Sequence, residues 1–239
     1  MSLTQDIIAK TAELSNVDVT YTNTSDFNYI DTLDTDCSAI VMEATVIYFR
    51  IKNVPLLLKT GKRLAARMYK IYYNALQEIC KSTGGYFSSN SPYSFLMIYP
   101  KHDYNVTYVV DIAVKTATLF CTTLRESIEK HSHLSFSMGI DYGNVLGTKV
   151  INNGKFSHIV WFSPDIEKAK TIANECQRPF FVGISGTVYH HLDDSLKKTS
   201  KRILGIKKEV DIWNRVSYEY DNVKKHLYQT NFQKSFEEE

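Results

Sequence analysis

The chain has 239 residues, 44% hydrophobic and 13% aromatic, enough for one large packed domain and too many for a disordered segment. A formal net charge of +2 is too small to point to a nucleic-acid partner. No apolar run approaches the ~20 residues of a bilayer-spanning helix, and the polar start, Met1 to Leu14, lacks the apolar stretch of an export signal; the expectation is a cytoplasmic protein with no membrane contact.

Taken in order, Leu3, Ile7, Ile8, Ala12 and Leu14 recur at helical spacing and predict a short amphipathic helix. Residues 15–36 are rich in Asn, Asp, Thr and Ser and read as a linker. From Ala39 to Ile51 the density of Val, Ile, Tyr and Phe is that of a central strand buried on both faces. From Lys59 the period changes: Leu64, Met68, Ile71, Tyr72, Ala75, Leu76 and Ile79 mark a helix, with Lys59, Lys62, Arg63, Arg67 and Lys70 on its other side, a cationic face that reads as solvated, with anion binding as the alternative. Gly84-Gly85 ends it. Tyr86-Phe87 and Tyr93 to Tyr99 read as a hairpin that turns at Ser91-Pro92.

A second long helix is expected from Asn105 to Lys130, closed by His131-Ser-His133, then strands at Leu134 to Val145 and Lys155 to Phe162. Pro164 suits the first turn of a helix running to about Cys176. A short strand at Phe180 to Ile184, a helix capped by Ser185 and a last strand from Ile203 to Arg215 complete the pattern, and the charged end is expected to fray. This order predicts an α/β (α+β) sandwich, a mixed sheet with helices packed on it that contains the doubled β-α-β unit of ferredoxin-like folds. The expected division is an N-terminal helix and linker over 1–37, a domain over 38–217 and a charged tail over 218–239. Cys37, Cys80, Cys121 and Cys176 are widely spaced and read as buried reduced thiols.

Five segments in order resemble the class III adenylate/guanylate (nucleotidyl) cyclase family. Tyr48-Phe49-Arg50-Ile51-Lys52-Asn53 is similar to the family strand F-D-I-R-x-S. Gly84-Gly85, followed by Pro92-Tyr93-Ser94-Phe95, sits where the family has its Gly-Gly and G-D-x-F motifs. Met138-Gly139-Ile140-Asp141-Tyr142-Gly143-Asn144-Val145-Leu146-Gly147 resembles G-I-x-x-G-x-V-x-x-G. Trp161-Phe162-Ser163-Pro164-Asp165-Ile166-Glu167-Lys168-Ala169-Lys170-Thr171 resembles W-x-G-x-x-V-N-x-A-x-R, and Gly205 to Trp213 resembles the closing strand. Trp161 and the Gly-Ile-Asp triplet are similar to the bacterial branch that includes phage-defence pyrimidine cyclases.

The resemblance implies a ferredoxin-like cyclase fold, a head-to-tail homodimer, and attack of a ribose 3′ hydroxyl on an α-phosphate assisted by two Mg²⁺-type ions. It also implies which positions carry that chemistry, and here they are changed. The two metal-binding Asp positions fall on Arg50 and Tyr93. The base-reading Lys falls on Ser89, the ribose-orienting Asn on Glu167 and the phosphate-stabilising Arg or Lys on Thr171.

Hard divalent ions need carboxylate oxygens, and a guanidinium has no lone pair to offer. At 4 Å it repels a unit positive charge by ~4 kcal/mol at an effective dielectric near 20, and a dication by twice that. Arg50 either pairs with a carboxylate such as Glu167 or holds an anionic ligand without metal. Tyr93 reads as packing, Asp141 as a loop carboxylate and His190-His191 as surface.

The expectation is therefore a catalytically degenerate cyclase homology domain with no catalytic residues and no metal or other cofactor. It would serve as a dimerisation, sensory or regulatory module in cyclic-nucleotide-type signalling, with a small anionic or nucleotide ligand. The alternative is an active cyclase, a phosphorus–oxygen lyase using Mg or Mn through atypical ligands or a heterodimer with an intact cyclase chain.

Overall fold

Runs of period 2 and period 3.6 alternate along the chain, and most fold as their period dictates. The computed structural model describes residues 3–33, 38–59, 61–131, 135–152, 156–176, 179–203 and 206–231. In chain order the elements are α1 (Leu3–Ser15), β1 (Thr20–Asn23), a 3-10 helix (Phe27–Thr32), β2 (Ser38–Lys52), α2 (Val54–Lys59), α3 (Lys62–Ser82), β3 (Tyr86–Ser91), β4 (Ser94–Pro100), α4 (Val106–His131), β5 (Ser135–Asn152), β6 (Phe156–Phe162), α5 (Pro164–Glu175), β7 (Val182–Ser185), α6 (Gly186–His191), α7 (Asp194–Lys197), β8 (Lys198–Ile203), β9 (Ile206–Asp211), β10 (Asn214–Tyr220) and β11 (Val223–Thr230).

β2 and β5 form the centre of a nine-stranded sheet ordered β10-β11-β7-β5-β2-β4-β3, with β1 added to β2 and β6 to β5. β2 pairs antiparallel with β4 and β5, whereas β5 and β7 run parallel. On one face Ile47, Phe49 and Ile51 pack against α3 through Met68, Tyr72 and Leu76 and against α4 through Val110, Ala113 and Phe120. On the other, Met42, Ala44 and Val46 meet Trp161 of β6 and Ile166 and Ala169 of α5. Both faces of the central strand are therefore buried, which is why its apolar run is nearly continuous.

The expected hairpin is present, with Pro92 and Tyr93 in its turn, and Gly84 has the left-handed φ of +77° that caps α3. Cys80, Cys121 and Cys176 are free and buried, and burial pushes the Cys80 and Cys176 thiols up to about 12. Cys37, His133 and Lys234 to Glu239 lie outside the described residues. No described helix is long and apolar enough to cross a membrane.

Three expectations need correction. The 15–36 linker contains β1, which pairs in parallel with β2, and a 3-10 helix whose Ile30 enters the second core together with Leu33. The single last strand at Ile203 to Arg215 is instead the β8–β9 hairpin followed by the start of β10. The tail expected from 218 onward is sheet up to Thr230: β11 pairs with β10 on one side and β7 on the other. Its first half, with Lys224 and His226, is exposed, and Leu227, Gln229 and Thr230 are buried.

Candidate functional site

The two-residue repeat of β2 sends Tyr48, Arg50 and Lys52 to the face opposite Phe49 and Ile51. Arg50 stands in register between Ser94 of β4 and Ser137 of β5. Ser137 Oγ donates to the Ala173 carbonyl of α5 at 2.6 Å, and the Ser91 and Ser94 hydroxyls share a hydrogen bond of 2.7 Å.

What brings α5 onto this face is the glycine row of β5. A Cβ on Gly139 would lie 1.9 Å from the Ala169 carbonyl oxygen, and one on Gly143 would lie 2.1 Å from Asp165 Oδ2. Without side chains there, the helix settles directly on the strand. Ser163 caps it by accepting from the Ile166 N–H at 3.0 Å, and Pro164 occupies the first turn. Its other end then reaches β2: Arg50 Nη1 donates to Asn174 Oδ1, and Lys52 Nζ donates to the Cys176 carbonyl. A cation at a helix C-terminus also meets the negative end of the helix dipole. A cavity of about 360 Å³ opens beside the pair, lined by Arg50, Lys52, Asn53, Pro55 and Asn174.

The positions singled out in the sequence are thus partly brought together. The Tyr93 carbonyl accepts from the Ile51 N–H at 2.9 Å, so Arg50 and Tyr93 are neighbours along the backbone. The Tyr93 ring, however, packs with the first core, away from the Arg50 side of the sheet. Ser89 is exposed on β3, its hydroxyl 3.4 Å from the Ser91 carbonyl. Glu167 and Thr171 lie one turn apart on α5, where Thr171 Oγ1 donates to the Glu167 carbonyl at 2.9 Å.

The expected Arg50–Glu167 pair is not formed. Glu167 bonds to Lys170 at 2.8 Å one turn along the same helix, and Arg50 takes the amide oxygen of Asn174 instead. Short local pairs of this kind form without ordering distant segments, which gives Lys170 the advantage. Asp141 is also corrected. It lies within β5, fully buried, with Lys168 Nζ at 2.8 Å from Oδ2 but outside hydrogen-bond geometry. Asp165 beside it has a raised pKa, first from burial and then from the Asp141 charge.

Lys52, Asn53 and Asn174 were not singled out. Lys52 had a signal, because it shares Arg50's parity on β2. Asn174 is seven residues after Glu167, on the same side of α5, but its partner is set by docking 124 residues away in sequence.

The residues at the end of β2 do not fit a divalent cation. A guanidinium and an ammonium stand there with an amide and a peptide carbonyl as partners, and among the described residues no anionic oxygen is bonded to either. Among the described residues no group of three or more His, Cys, Asp or Glu converges elsewhere.

No protein-family model matches the chain, and no curated protein sequence matches it. Solved structures do. The guanylyl cyclase Cya2 superposes with a TM-score of 0.62 at 12% identity, over 79% of this chain and 91% of that one. The non-canonical dimeric guanylyl cyclase domain of the RhoGC fusion protein of the aquatic fungus Blastocladiella emersonii gives 0.59 at 14%, over 79% and 96%. A class III adenylyl cyclase-like ATP-binding protein of Pseudomonas aeruginosa gives 0.64 at 17%, over 80% of this chain and 44% of that one. With its β2–β5 centre, its hairpin and α5 laid across the second face, the chain has the fold of a class III nucleotidyl cyclase domain.

Proposed function

We propose that the chain is a catalytically degenerate class III nucleotidyl cyclase homology domain, a cytoplasmic dimerisation, sensory or regulatory module of cyclic-nucleotide-type signalling. One observation carries this reading: Arg50 and Lys52 hold the β2 positions nearest the hairpin turn and are tied to the C-terminal end of α5. A metal ion brought there meets repulsion in place of ligands. The positions for orienting ribose and stabilising phosphate charge hold Glu167 and Thr171, engaged with Lys170 and with the helix's own carbonyl. Removing one transition-state charge stabiliser costs factors of about 10² to 10³, and here several are replaced together.

Dimerisation is supported by the RhoGC neighbour, whose cyclase domain is described as dimeric, and a nucleotide ligand by the ATP-binding neighbour from Pseudomonas aeruginosa. The test is incubation of purified protein with ATP, GTP, CTP or UTP and Mn²⁺. The expected result is no cyclic product above background. Product that scales with protein and is lost on Arg50→Ala or Tyr93→Phe sinks the reading in favour of an active cyclase with unusual ligands. Sedimentation velocity across a concentration series is expected to show dimer formation.

A further inference from the structure

Arg50 and Lys52 are two residues apart on β2 and so share one side of the sheet. Each is anchored, but only by a neutral acceptor: Asn174 Oδ1 for Arg50 and the Cys176 carbonyl for Lys52. Among the described residues no carboxylate lies within ion-pair distance of either. Glu167 is committed to Lys170, and Glu175 acts on Lys52 without an ion-pair contact.

Two like charges held side by side with no carboxylate in ion-pair contact among the described residues are unusual, because each raises the cost of the other. Burial lowers the pKa of Lys52, and the Arg50 charge adds to that against the opposing pull of Cys176 and Glu175. The side chains are also arranged as donors. A guanidinium has five N–H groups and Asn174 uses one Nη; because Asn174 accepts through Oδ1, its Nδ2 is a donor as well. Asn53, held at a left-handed φ of 59°, directs its Nδ2 toward Ser135 Oγ at a long 3.4 Å. All of these groups line the same 360 Å³ cavity.

We propose that this cavity binds a phosphoryl group without a divalent cation, with Arg50 and Lys52 supplying the two positive charges that neutralise its dianion. The inference rests on the reading of this end of β2 as one that no longer holds metal. A phosphoryl dianion matches the two cations, whereas a carboxylate leaves one uncompensated; Arg50 offers it a planar fork and Lys52 a point charge. Magnesium works against this site, since it withdraws the anion's charge and brings its own.

The test is isothermal titration of the full chain with inorganic pyrophosphate in EDTA at low salt, with ATP in EDTA as a second arm. Saturable binding is expected, weakened at least ~10-fold by Arg50→Gln, which keeps an N–H for Asn174, and lost in the Arg50→Gln/Lys52→Gln double variant. Arg50→Lys keeps the charge and is expected to stay within ~10-fold of the wild type, separating charge from fold; Lys224→Gln on β11 leaves binding unchanged. Excess Mg²⁺ is expected to weaken the wild-type interaction.

ATP binding markedly tighter than pyrophosphate identifies a nucleotide as the source of the phosphoryl group, and equal binding identifies the phosphoryl group alone. Absence of saturable binding in EDTA, binding that requires Mg²⁺, or a folded double variant that binds like the wild type overturns the proposal. The two readings fail separately: cyclic product with Mn²⁺ strikes the degenerate assignment, and absent binding in EDTA strikes this one.

Discussion

The two faces of β2 teach opposite lessons from one strand. On the first, Phe49 sits inside an aromatic cluster, with ring centroids 5.1 Å from Phe120, 5.4 Å from Phe136, 5.6 Å from Tyr72 and 5.8 Å from Phe95. Nothing there needs a particular chemistry; it needs volume and shape. On the second, the neighbouring residue Arg50 donates to Asn174 and stands in register between Ser94 and Ser137, whose hydroxyls bond to Ser91 and to the Ala173 carbonyl. The apolar face builds the cyclase-type sheet. The second face is apolar along Met42, Ala44 and Val46 and turns polar only at its end, at Arg50 and Lys52.

The largest expected effect comes from breaking the first face. Phe49→Ala removes a fully buried ring at the junction of α3, α4 and the sheet. The expected loss is about 3–5 kcal/mol in denaturant unfolding. A loss under 1 kcal/mol means that the aromatic cluster repacks freely and that the first face is less specific than its contacts indicate.

Next in size is the seat of α5. Gly139→Ala places a Cβ against the Ala169 carbonyl, a backbone atom that cannot swing aside. The expected cost is about 1–3 kcal/mol. Because the helix must lift, Asn174 and Cys176 leave Arg50 and Lys52, so pyrophosphate binding is expected to weaken in parallel. Unchanged binding in a destabilised Gly139→Ala chain separates the cation pair from the helix that anchors it.

A smaller change is expected from restoring carboxylates. In Arg50→Asp with Tyr93→Asp, the Arg50 change is expected to shift stability by no more than ~1 kcal/mol, since Arg50 is exposed and its bond to Asn174 is a single polar contact, and the Tyr93 change adds the loss of a half-buried ring that packs with the first core. The double variant is expected to yield no cyclase turnover with Mn²⁺, because Glu167 and Thr171 remain and Lys52 still adds a cation. Robust turnover shows that the second face is two substitutions from catalysis.

How much of this was legible differs between the faces. The apolar face was readable because burial writes itself locally: Leu64 to Ile79 repeats at the helical period, and Ala39 to Ile51 is a strand buried on both sides. The strands that escaped, β1, β8, β10 and β11, are short or broken up by charged and polar residues, and β1 and β11 take partners fixed only by the fold. On the polar face, Arg50 was visible as a residue of the wrong charge. Its partner was not. A carboxylate was expected because ion pairs are the common answer to an Arg, yet Asn174 reaches it only because Gly139 and Gly143 let α5 lie flat on β5. Asp141 was misplaced for the same reason: it lies inside the expected strand Leu134 to Val145 yet was read as a loop carboxylate, because the helix that buries it is not visible along the sequence.

The smallest prediction concerns that buried acid pair. Asp165 lies over Gly143, accepts from the Asn144 backbone N–H, and has its pKa raised above the usual 3.8, by burial first and the Asp141 charge second. Between 3.8 and that raised value the folded chain keeps a proton that the unfolded chain has lost. Its contribution is therefore most favourable below the unfolded value and is lost as pH rises through the folded one. Asp165→Asn keeps an acceptor for Asn144 and removes the charge. Unfolding midpoints of the two chains across this acidic range are expected to diverge as pH rises, the variant gaining on the wild type, while Asp111, whose pKa is also raised, cancels in the difference. Parallel curves mean that Lys168 compensates both carboxylates, and that α5 is seated on the second face at no electrostatic cost. In that case the helix is seated by its close approach at Gly139 and Gly143 and by the burial of Ile166 and Ala169, with no net contribution from the acid pair.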